Sequence, residues 1–197
     1  MTGPDVQFHP PNVVDRLVWA QFFSREALIE IDAGSGDGSF VLARAAQFPD
    51  RNFLAIERLL GRVRKTCRLA AEAGLKNVRV LRLETLYTFT HLLPNNSVSV
   101  IHVGFPDPWP KRKHQRKRLL RKPFFEIAQG LLVAGGELRI KTDDEPYYLE
   151  IAKTAAEFPG FVTEEWIEPL DYPKTGFERS FLAEGKTISR LLLRKRE

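Results

Sequence analysis

The sequence predicts an α/β fold: a doubly wound sheet of about seven strands, mostly parallel with an antiparallel edge strand, covered by helices on both faces. Short runs rich in apolar and β-branched residues alternate with helix-length segments along most of the chain. This alternation is typical of parallel strands joined by helical crossovers. At 197 residues and 43% hydrophobic content, we expect a single domain over residues 1–197, with an irregular arm over residues 1–15 that contains three prolines.

The first half of the chain supplies three strands and the helices between them. A short amphipathic helix is predicted over residues 17–23. A glycine turn separates the first strand from its helix, and Gly74 is a typical end for the helix after the second strand. The predicted strands are residues 27–33, 52–57 and 77–83, and the helices are residues 40–47, 59–73 and a short one ending at 91.

The second half continues the alternation and then changes character. The Gly135-Gly136 pair ends one helix before the fifth strand. Residues 169–185 show no clear helical pattern, so the last two strands are expected to pair antiparallel at the sheet edge. The strands are residues 98–103, 137–141, 161–167 and 187–193, and the helices are residues 124–132 and 145–158.

Composition excludes several classes of protein. One cysteine, Cys67, cannot form an intramolecular disulfide and fits a reducing compartment. The first 15 residues lack the pattern of a signal peptide, and no apolar run approaches the ~20 residues of a membrane span. We therefore expect a cytoplasmic protein with no membrane contact. The net charge is +5, and residues 111–122 contain eight Lys and Arg residues and no acid, which suits either phosphate binding or a solvated surface.

The turn after the first strand indicates which cofactor the sheet would bind. Its spacing is G-x-G-x-G rather than the G-x-G-x-x-G of a dinucleotide site, and Asp32 and Asp37 flank it. Those carboxylates would repel a pyrophosphate but suit a ligand with cationic groups. S-adenosylmethionine fits, because it carries a sulfonium and an α-amino group and no phosphate. A Rossmann-like sheet with this turn therefore favours methyl transfer over nicotinamide chemistry.

Acidic residues follow each of the first four strands. Asp32, Glu57, Glu84 and Asp107 all lie at the predicted carboxyl ends, where ligands bind in such sheets. Glu57 is placed to accept the ribose hydroxyls of an adenosine, and Glu84 to accept the adenine amine. Each acid alone is better explained as a surface residue or a helix cap. The four together favour a site.

The segment Phe105-Pro106-Asp107-Pro108-Trp109 is the most distinctive motif. Proline restricts both its own backbone and the residue before it, so Asp107 lies on a stiff, non-helical segment after a buried strand. The cationic run follows directly. Trp109 is equally consistent with stacking on a base and with packing in the loop. No His lies at metal-ligand spacing, so no metal site is expected.

These motifs resemble the bacterial tRNA (guanine-N7-)-methyltransferases, which form 7-methylguanosine in the tRNA variable loop. The resemblance extends from about Trp19 to the carboxyl terminus. It depends on five segments: IEIDAGSGDGSF, PDRNFLAIE, FPDPWPKRKHQRKR, IKTDD and TGFE. Asp32 and Glu84 stand where that family usually has Glu and Asp, which keeps the charge. The arm lacks the basic stretch common in relatives.

The resemblance implies roles for particular residues. It implies Asp107 as the catalytic residue and cofactor contacts at Asp32, Gly34, Gly36, Glu57, Glu84 and Asp107. It implies substrate contacts at Lys111, Asp143, Thr175, Gly176, Phe177 and Glu178. A phosphate-binding patch on the tRNA side is expected from Arg112, Lys113, His114, Arg116, Lys117 and Arg118.

Two other functions remain alternatives at this point. One is a non-catalytic RNA-binding protein on a methyltransferase-like fold, and the other is a methyltransferase acting on another RNA or a small molecule. The expected partner is tRNA. No obligatory protein partner is expected, and the chain would act as a monomer or simple homodimer.

Overall fold

The computed structural model describes residues 6–197, and its centre is one twisted sheet. Within those residues the sheet has eight strands in the order β1-β4-β3-β2-β5-β6-β8-β7. The strands are Gln7–Phe8 (β1), Ile29–Ala33 (β2), Asn52–Ile56 (β3), Val78–Leu81 (β4), Val98–Gly104 (β5), Leu132–Thr142 (β6), Phe161–Glu164 (β7) and Ser189–Lys195 (β8).

Helices connect most of these strands. The α-helices are Trp19–Phe22 (α1), Ser39–Gln47 (α2), Leu60–Glu72 (α3), Thr85–Tyr87 (α4), Lys122–Leu131 (α5), Glu145–Ala155 (α6) and Gly176–Ala183 (α7). A π-helical turn, Thr88–Leu92, continues α4, and a 3-10 helix, Arg112–Lys117, lies in the cationic run. Within residues 6–197 no helix is long and apolar enough to cross a membrane.

The strand directions confirm the predicted α/β class. Strands β1 to β6 pair in parallel, whereas β8 runs antiparallel to β6 and β7 antiparallel to β8. Both sheet faces are covered. Along β3, Leu54 and Ile56 belong to the core that contains α5 and α6, while Phe53 and Ala55 pack with residues of α2 and α3. The period-2 alternation of strand side chains explains this division.

Two segments differ from the sequence-based expectation. Gln7 and Phe8, in the predicted irregular arm, form β1 because they pair with β4 and Phe8 stacks on Phe22 at 4.0 Å. The predicted loop 169–185 contains α7, which begins at a helix cap: the Thr175 hydroxyl accepts the Glu178 backbone N–H at 2.9 Å. In addition, β6 begins at Leu132 rather than at 137, because it continues directly from α5.

Strand order reverses between β2 and β5. The chain moves from β2 to β3 and β4 on one side, then returns to place β5 on the other side of β2. In doubly wound sheets the crevice at this reversal, beyond the carboxyl ends of the strands, is where ligands bind. In this protein we therefore expect the ligand-binding crevice beyond the carboxyl ends of β2 and β5.

Candidate active site

A cavity lies at the reversal point. The glycine turn after β2, the end of β5, the end of β6 and the segment leading into α7 surround it. Its lining residues include Asp32, Gly34 to Asp37, Ser39, Phe40, Arg62, His102 to Phe105, Arg139, Lys141, Trp166, Tyr172, Thr175, Phe177 and Glu178.

The glycine turn leaves this cavity open. Gly36 has φ +58°, and a Cβ added to it would meet no atom within 4 Å, so the space above the turn is free for a ligand. Gly38 has φ +80°, and a Cβ there would lie 2.4 Å from the Thr66 hydroxyl oxygen. Glycine is therefore required at Gly38 by both backbone conformation and close packing against α3.

Asp32 is a buried carboxylate to which no residue in the described range 6–197 is hydrogen-bonded or paired. It is 6% exposed, and its Oδ2 atom is fully enclosed without a hydrogen bond. Burial raises the pKa of Asp32 to about 7, and the nearby charges of Glu57 and Asp37 add to the effect. Among residues 6–197 the buried hydroxyl oxygen of Ser35 also has no hydrogen-bond partner. Unpaired buried polar atoms are uncommon in folded proteins, so this set fits a polar, cationic ligand.

Glu57 and Glu84 both lie past the carboxyl ends of their strands but have different surroundings. Glu57 is buried, and its carboxylate accepts the backbone N–H of Gly36 at 3.0 Å and of Leu59 at 2.8 Å. This fixes it beside the glycine turn. Glu84 is exposed and caps α4 by accepting the N–H groups of Leu86 and Tyr87, so it lies outside the central cavity.

Asp107 lies on a strained segment next to the cavity. Phe105 and Trp109 have φ values of +53° and +42°, in the left-handed region that non-glycine residues rarely adopt. Such residues cost of order 1–3 kcal/mol each and are concentrated at functional sites. Asp107 is exposed, and within residues 6–197 its carboxylate has no hydrogen bond or ion pair. Phe105 lines the cavity and Asp107 does not, so Asp107 lies two residues beyond the cavity wall along the chain.

The Thr175–Glu178 motif forms another wall of the cavity. Glu178 is fully buried, and its carboxylate oxygens lie 2.9 and 3.1 Å from the Lys141 ammonium group. Lys141 also pairs with Glu168. Phe177 is 52% exposed and stacks on Phe181. Asp143 lies away from the cavity lining and pairs with Lys186 at 3.1 Å.

A buried polar network forms the floor of the cavity. Glu30 is fully buried and binds Arg44 at 2.9 Å, Arg51 at 2.6 Å and His102 Nε2 at 2.9 Å. Burial alone would raise the pKa of Glu30, but the hydrogen bond from His102 and the charge of Arg44 lower it well below its usual range. The network continues to Tyr172, whose hydroxyl lies 3.1 Å from His102 Nδ1.

The two titratable rings of this network are neutral at physiological pH. Burial lowers the pKa of His102 despite the neighbouring Glu30, and burial raises the pKa of Tyr172 to about 12. A neutral His102 donates from Nε2 to Glu30 and accepts from the Tyr172 hydroxyl at Nδ1. This arrangement fixes the segment before Thr175 onto the sheet.

The cationic run does not form one uniform surface. Lys111, Arg112, Lys113, Arg116 and Lys117 are exposed, as phosphate contacts require. His114 is half-buried against the Trp109 ring, with ring centroids 5.7 Å apart. Lys117 also lies over that ring, at 4.8 Å. Trp109 therefore packs within its own loop.

Arg118 is a correction to the expected RNA-contacting patch. It is 8% exposed, its Nε donates to the Pro108 carbonyl at 2.6 Å, and its guanidinium pairs with Glu150 and stacks over Tyr147. Arg118 therefore supports the Asp107 loop from beneath and cannot reach a phosphate in this position.

We expect Arg118→Gln to lower the free energy of unfolding by about 2 kcal/mol, because buried hydrogen bonds from a charged group contribute about that amount. Urea unfolding measures the change. Arg116→Gln, an exposed neighbour, is the matched control and should change stability by less than about 0.5 kcal/mol. If the two variants were equally stable and Arg118→Gln lost RNA binding, Arg118 would instead belong to the phosphate-binding patch.

Several cavity residues were not identified from the sequence. His102, Arg139 and Lys141 lie on β5 and β6, toward the carboxyl ends of these strands. Polar residues at that end of a buried strand are a usable signal, since ligands bind there. Trp166 and Tyr172 gave no such signal, because they reach the cavity from an irregular segment.

Fold and site together define a Rossmann-like methyltransferase: a doubly wound sheet, a glycine turn flanked by acids, and an unpaired buried carboxylate. Comparison with solved structures agrees on the fold. The 16S rRNA methyltransferase KamB superposes with a TM-score of 0.63 at 20% identity, covering 90% of this chain and 91% of that one.

Sequence comparison defines the family. Residues 26–191 match the family model described as "Putative methyltransferase". A tRNA (guanine-N(7)-)-methyltransferase of Chlorobium phaeobacteroides is 35% identical over 189 residues, 95% of this chain and 92% of the relative. One of the same name from a Nocardioides species is 36% identical over 177 residues, 88% of this chain and 70% of the relative. The chain belongs to the tRNA (guanine-N7-)-methyltransferase family.

Proposed function

We propose that this protein, acting as one domain, transfers a methyl group from S-adenosylmethionine to N7 of a guanine in the tRNA variable loop. The observation that carries the proposal is the buried, unpaired Asp32 carboxylate at the strand reversal, with Asp107 and an exposed cationic run following β5 at the same edge of the sheet. Relatives named for this reaction cover most of the chain. The non-catalytic alternative explains neither the unpaired carboxylate nor the retained acids.

The cofactor's groups match the residues around the glycine turn. Asp32 would accept the α-amino group, and Glu57 would accept the ribose hydroxyls with the lone pairs that Gly36 and Leu59 leave free. When bound, S-adenosylmethionine supplies the electrophilic methyl group. Glu84 would reach the adenine only by giving up its role as a helix cap, so we assign it the weakest part in cofactor binding.

The reaction at N7 makes modest demands on the protein. Guanine N7 carries an in-plane lone pair and no proton, so no general base is needed to create the nucleophile. The protein must hold N7 in line with the transferred methyl at near-attack distance. The product base is cationic, and the unpaired Asp107 carboxylate would stabilise the charge as it develops. We therefore propose Asp107 as the electrostatic catalytic residue.

Guanine selection is assigned to Glu178. Its carboxylate, fixed by Lys141, would accept hydrogen bonds from guanine N1–H and the exocyclic amine, which adenine does not offer in that arrangement. Thr175 caps the helix that carries Glu178 and would position it. Phe177, half-exposed at the cavity mouth, presents a ring face to an entering base.

Glu178→Gln should lower kcat/KM for a guanosine-containing transcript about 10- to 100-fold, since a hydrogen bond to a charged group contributes about 1.5–3 kcal/mol. Preference for guanosine over inosine at the target position should narrow in the same variant, because inosine lacks the exocyclic amine. Glu168→Gln, which removes the other carboxylate on Lys141, is the matched control. An unchanged guanosine preference in Glu178→Gln would contradict the assignment.

The proposal is tested by supplying a tRNA transcript made with 7-deazaguanosine in place of guanosine. This base keeps the Watson–Crick edge and lacks the N7 nucleophile. We expect methyl transfer from labelled S-adenosylmethionine to the guanosine transcript and none to the 7-deaza transcript, although both should bind. Equal labelling of the two transcripts would show that another atom is methylated.

A further inference from the structure

Five cations lie in α3 or just before it, and the proposed reaction uses none of them. Residues 58–71 contain five Lys and Arg residues and no acid. We call the exposed cations Arg58, Arg62, Arg64, Lys65 and Arg68 the α3 surface.

These cations lie where a helix is least suited to positive charge. The amino-terminal end of a helix carries partial positive charge, which favours acids. The first turn of α3 contains no acid, and Arg62 and Lys65 lie within its first two turns. Arg64 and Arg68 form a like-charge pair four residues apart within α3, a spacing that destabilises a helix, and Arg58 lies just before the helix start. Helix stability therefore does not explain this sequence.

Neighbouring acids compensate these charges only in part. Lys65 lies 3.2 Å from Asp37, Arg62 3.6 Å from Glu57, and Arg68 2.8 Å from Glu72. Within residues 6–197 no carboxylate pairs with Arg58 or Arg64, and both are exposed. Two cations thus remain available for an anionic partner.

The α3 surface reaches the cavity through Arg62, and α3 covers the face of the sheet opposite to α5, the helix that follows the cationic run 111–122. Arg62 lines the cavity, and Val63 and Ala70 pack α3 into the core shared with α2. The cationic run instead leads into α5, whose Phe124 and Phe125 pack on the other face. An RNA whose target base enters the cavity would pass both surfaces.

We infer that the α3 surface is a second phosphate-binding surface, which contacts the tRNA backbone on the far side of the target base from residues 111–122. This inference rests on the proposed function for its RNA substrate. It explains why cations occupy a helix start: their repulsion is relieved when phosphates bind. If this surface only maintained solubility, acids would serve equally well, and the helix dipole favours acids at this end of the helix.

The test is the double variant Arg58→Gln/Arg64→Gln, which leaves the cavity residue Arg62 intact. At 0.1 M salt we expect the Kd for unmodified tRNA to rise about tenfold, and the log–log salt slope to become shallower by about 1.4–1.8, as for two lost phosphate contacts. The KM for S-adenosylmethionine should not change. The thermal midpoint without RNA should stay equal or rise, because repulsion at the helix start is removed.

Two further variants separate charge from structure. Lys76→Gln/Lys153→Gln lowers the net charge equally, at exposed positions toward the other end of the strands, and should leave the tRNA Kd and salt slope at wild-type values. Arg58→Lys/Arg64→Lys keeps the charge and should stay within about threefold of wild-type affinity. An Arg58→Gln/Arg64→Gln protein that binds tRNA like the wild type, or that loses stability, would overturn the inference. Failure of the wild type to form 7-methylguanosine would instead overturn the proposed function.

Discussion

Replacing Asp107 with Asn is expected to lower kcat for tRNA methylation by about 100-fold or more. Removing one pre-positioned group that stabilises transition-state charge typically costs 10²–10³ in rate. Asp107 fits that role because its carboxylate is unpaired and its segment is fixed between two left-handed residues, Phe105 and Trp109. The variant keeps the size of the side chain and changes its charge.

Single-turnover kinetics with saturating tRNA and S-adenosylmethionine measures this effect apart from binding. Asp50→Asn, an exposed acid beyond the end of α2, is the control for the loss of one negative charge. We expect cofactor affinity to fall much less than the rate in Asp107→Asn. A variant with the wild-type rate would remove Asp107 from the mechanism and leave the cavity residues as the source of catalysis.

Replacing Asp32 with Asn is expected to weaken cofactor binding by about 100-fold while stabilising the free protein at alkaline pH. The loss of affinity follows from removing the charged partner of the cofactor's amino group, worth about 1.5–3 kcal/mol. The gain in stability follows from removing a carboxylate whose negative charge is buried without a partner.

The pH dependence has a definite sign. The pKa of Asp32 is raised from its usual 3.8 to about 7, so the folded protein holds a proton that the unfolded chain has already released. The stabilisation of the folded protein by this retained proton is fully present below pH 4 and is lost as the pH rises through 7. The thermal midpoint of Asp32→Asn should therefore match that of the wild type at pH 4 and exceed it at pH 8.

As the pH rises, the affinity of the wild type for the cofactor should increase, whereas the stability of the free protein should decrease. The amino group of the ligand needs the ionised carboxylate, so the affinity of the wild type should rise between pH 6 and pH 8, while Asp32→Asn should lack this rise. Isothermal titration with S-adenosylhomocysteine, which carries the same amino group, measures both proteins. The same pH profile in the two proteins would show that Asp32 does not titrate in this range.

Local sequence patterns predicted the sheet and the position of the site. Alternating apolar runs located β2 to β8, and the acids after four strands located the edge at which the cavity lies. The helix α7 was missed although its signal was present: Thr175 and Glu178 have the S/T-x-x-E spacing of a helix start, followed by apolar residues. The same motif caps α7 and carries the predicted substrate contacts.

Other features depend on contacts that are distant in sequence. Arg118 lies in a run of cations and cannot be distinguished from Arg116 by composition, yet it turns inward toward Pro108 and Glu150. The pairing of Lys141 with Glu178 joins residues 37 positions apart. Such pairs follow from how the last segment folds across the sheet, and no local periodicity encodes that path.

The most direct test of the central claim is methyl transfer from labelled S-adenosylmethionine to unmodified bulk tRNA, followed by complete digestion and separation of the nucleosides. We predict that the label appears in 7-methylguanosine. Label in a different nucleoside would contradict the target and the role of Glu178 while leaving the cofactor site intact. Cofactor binding without any labelled nucleoside would contradict tRNA as the substrate of this protein.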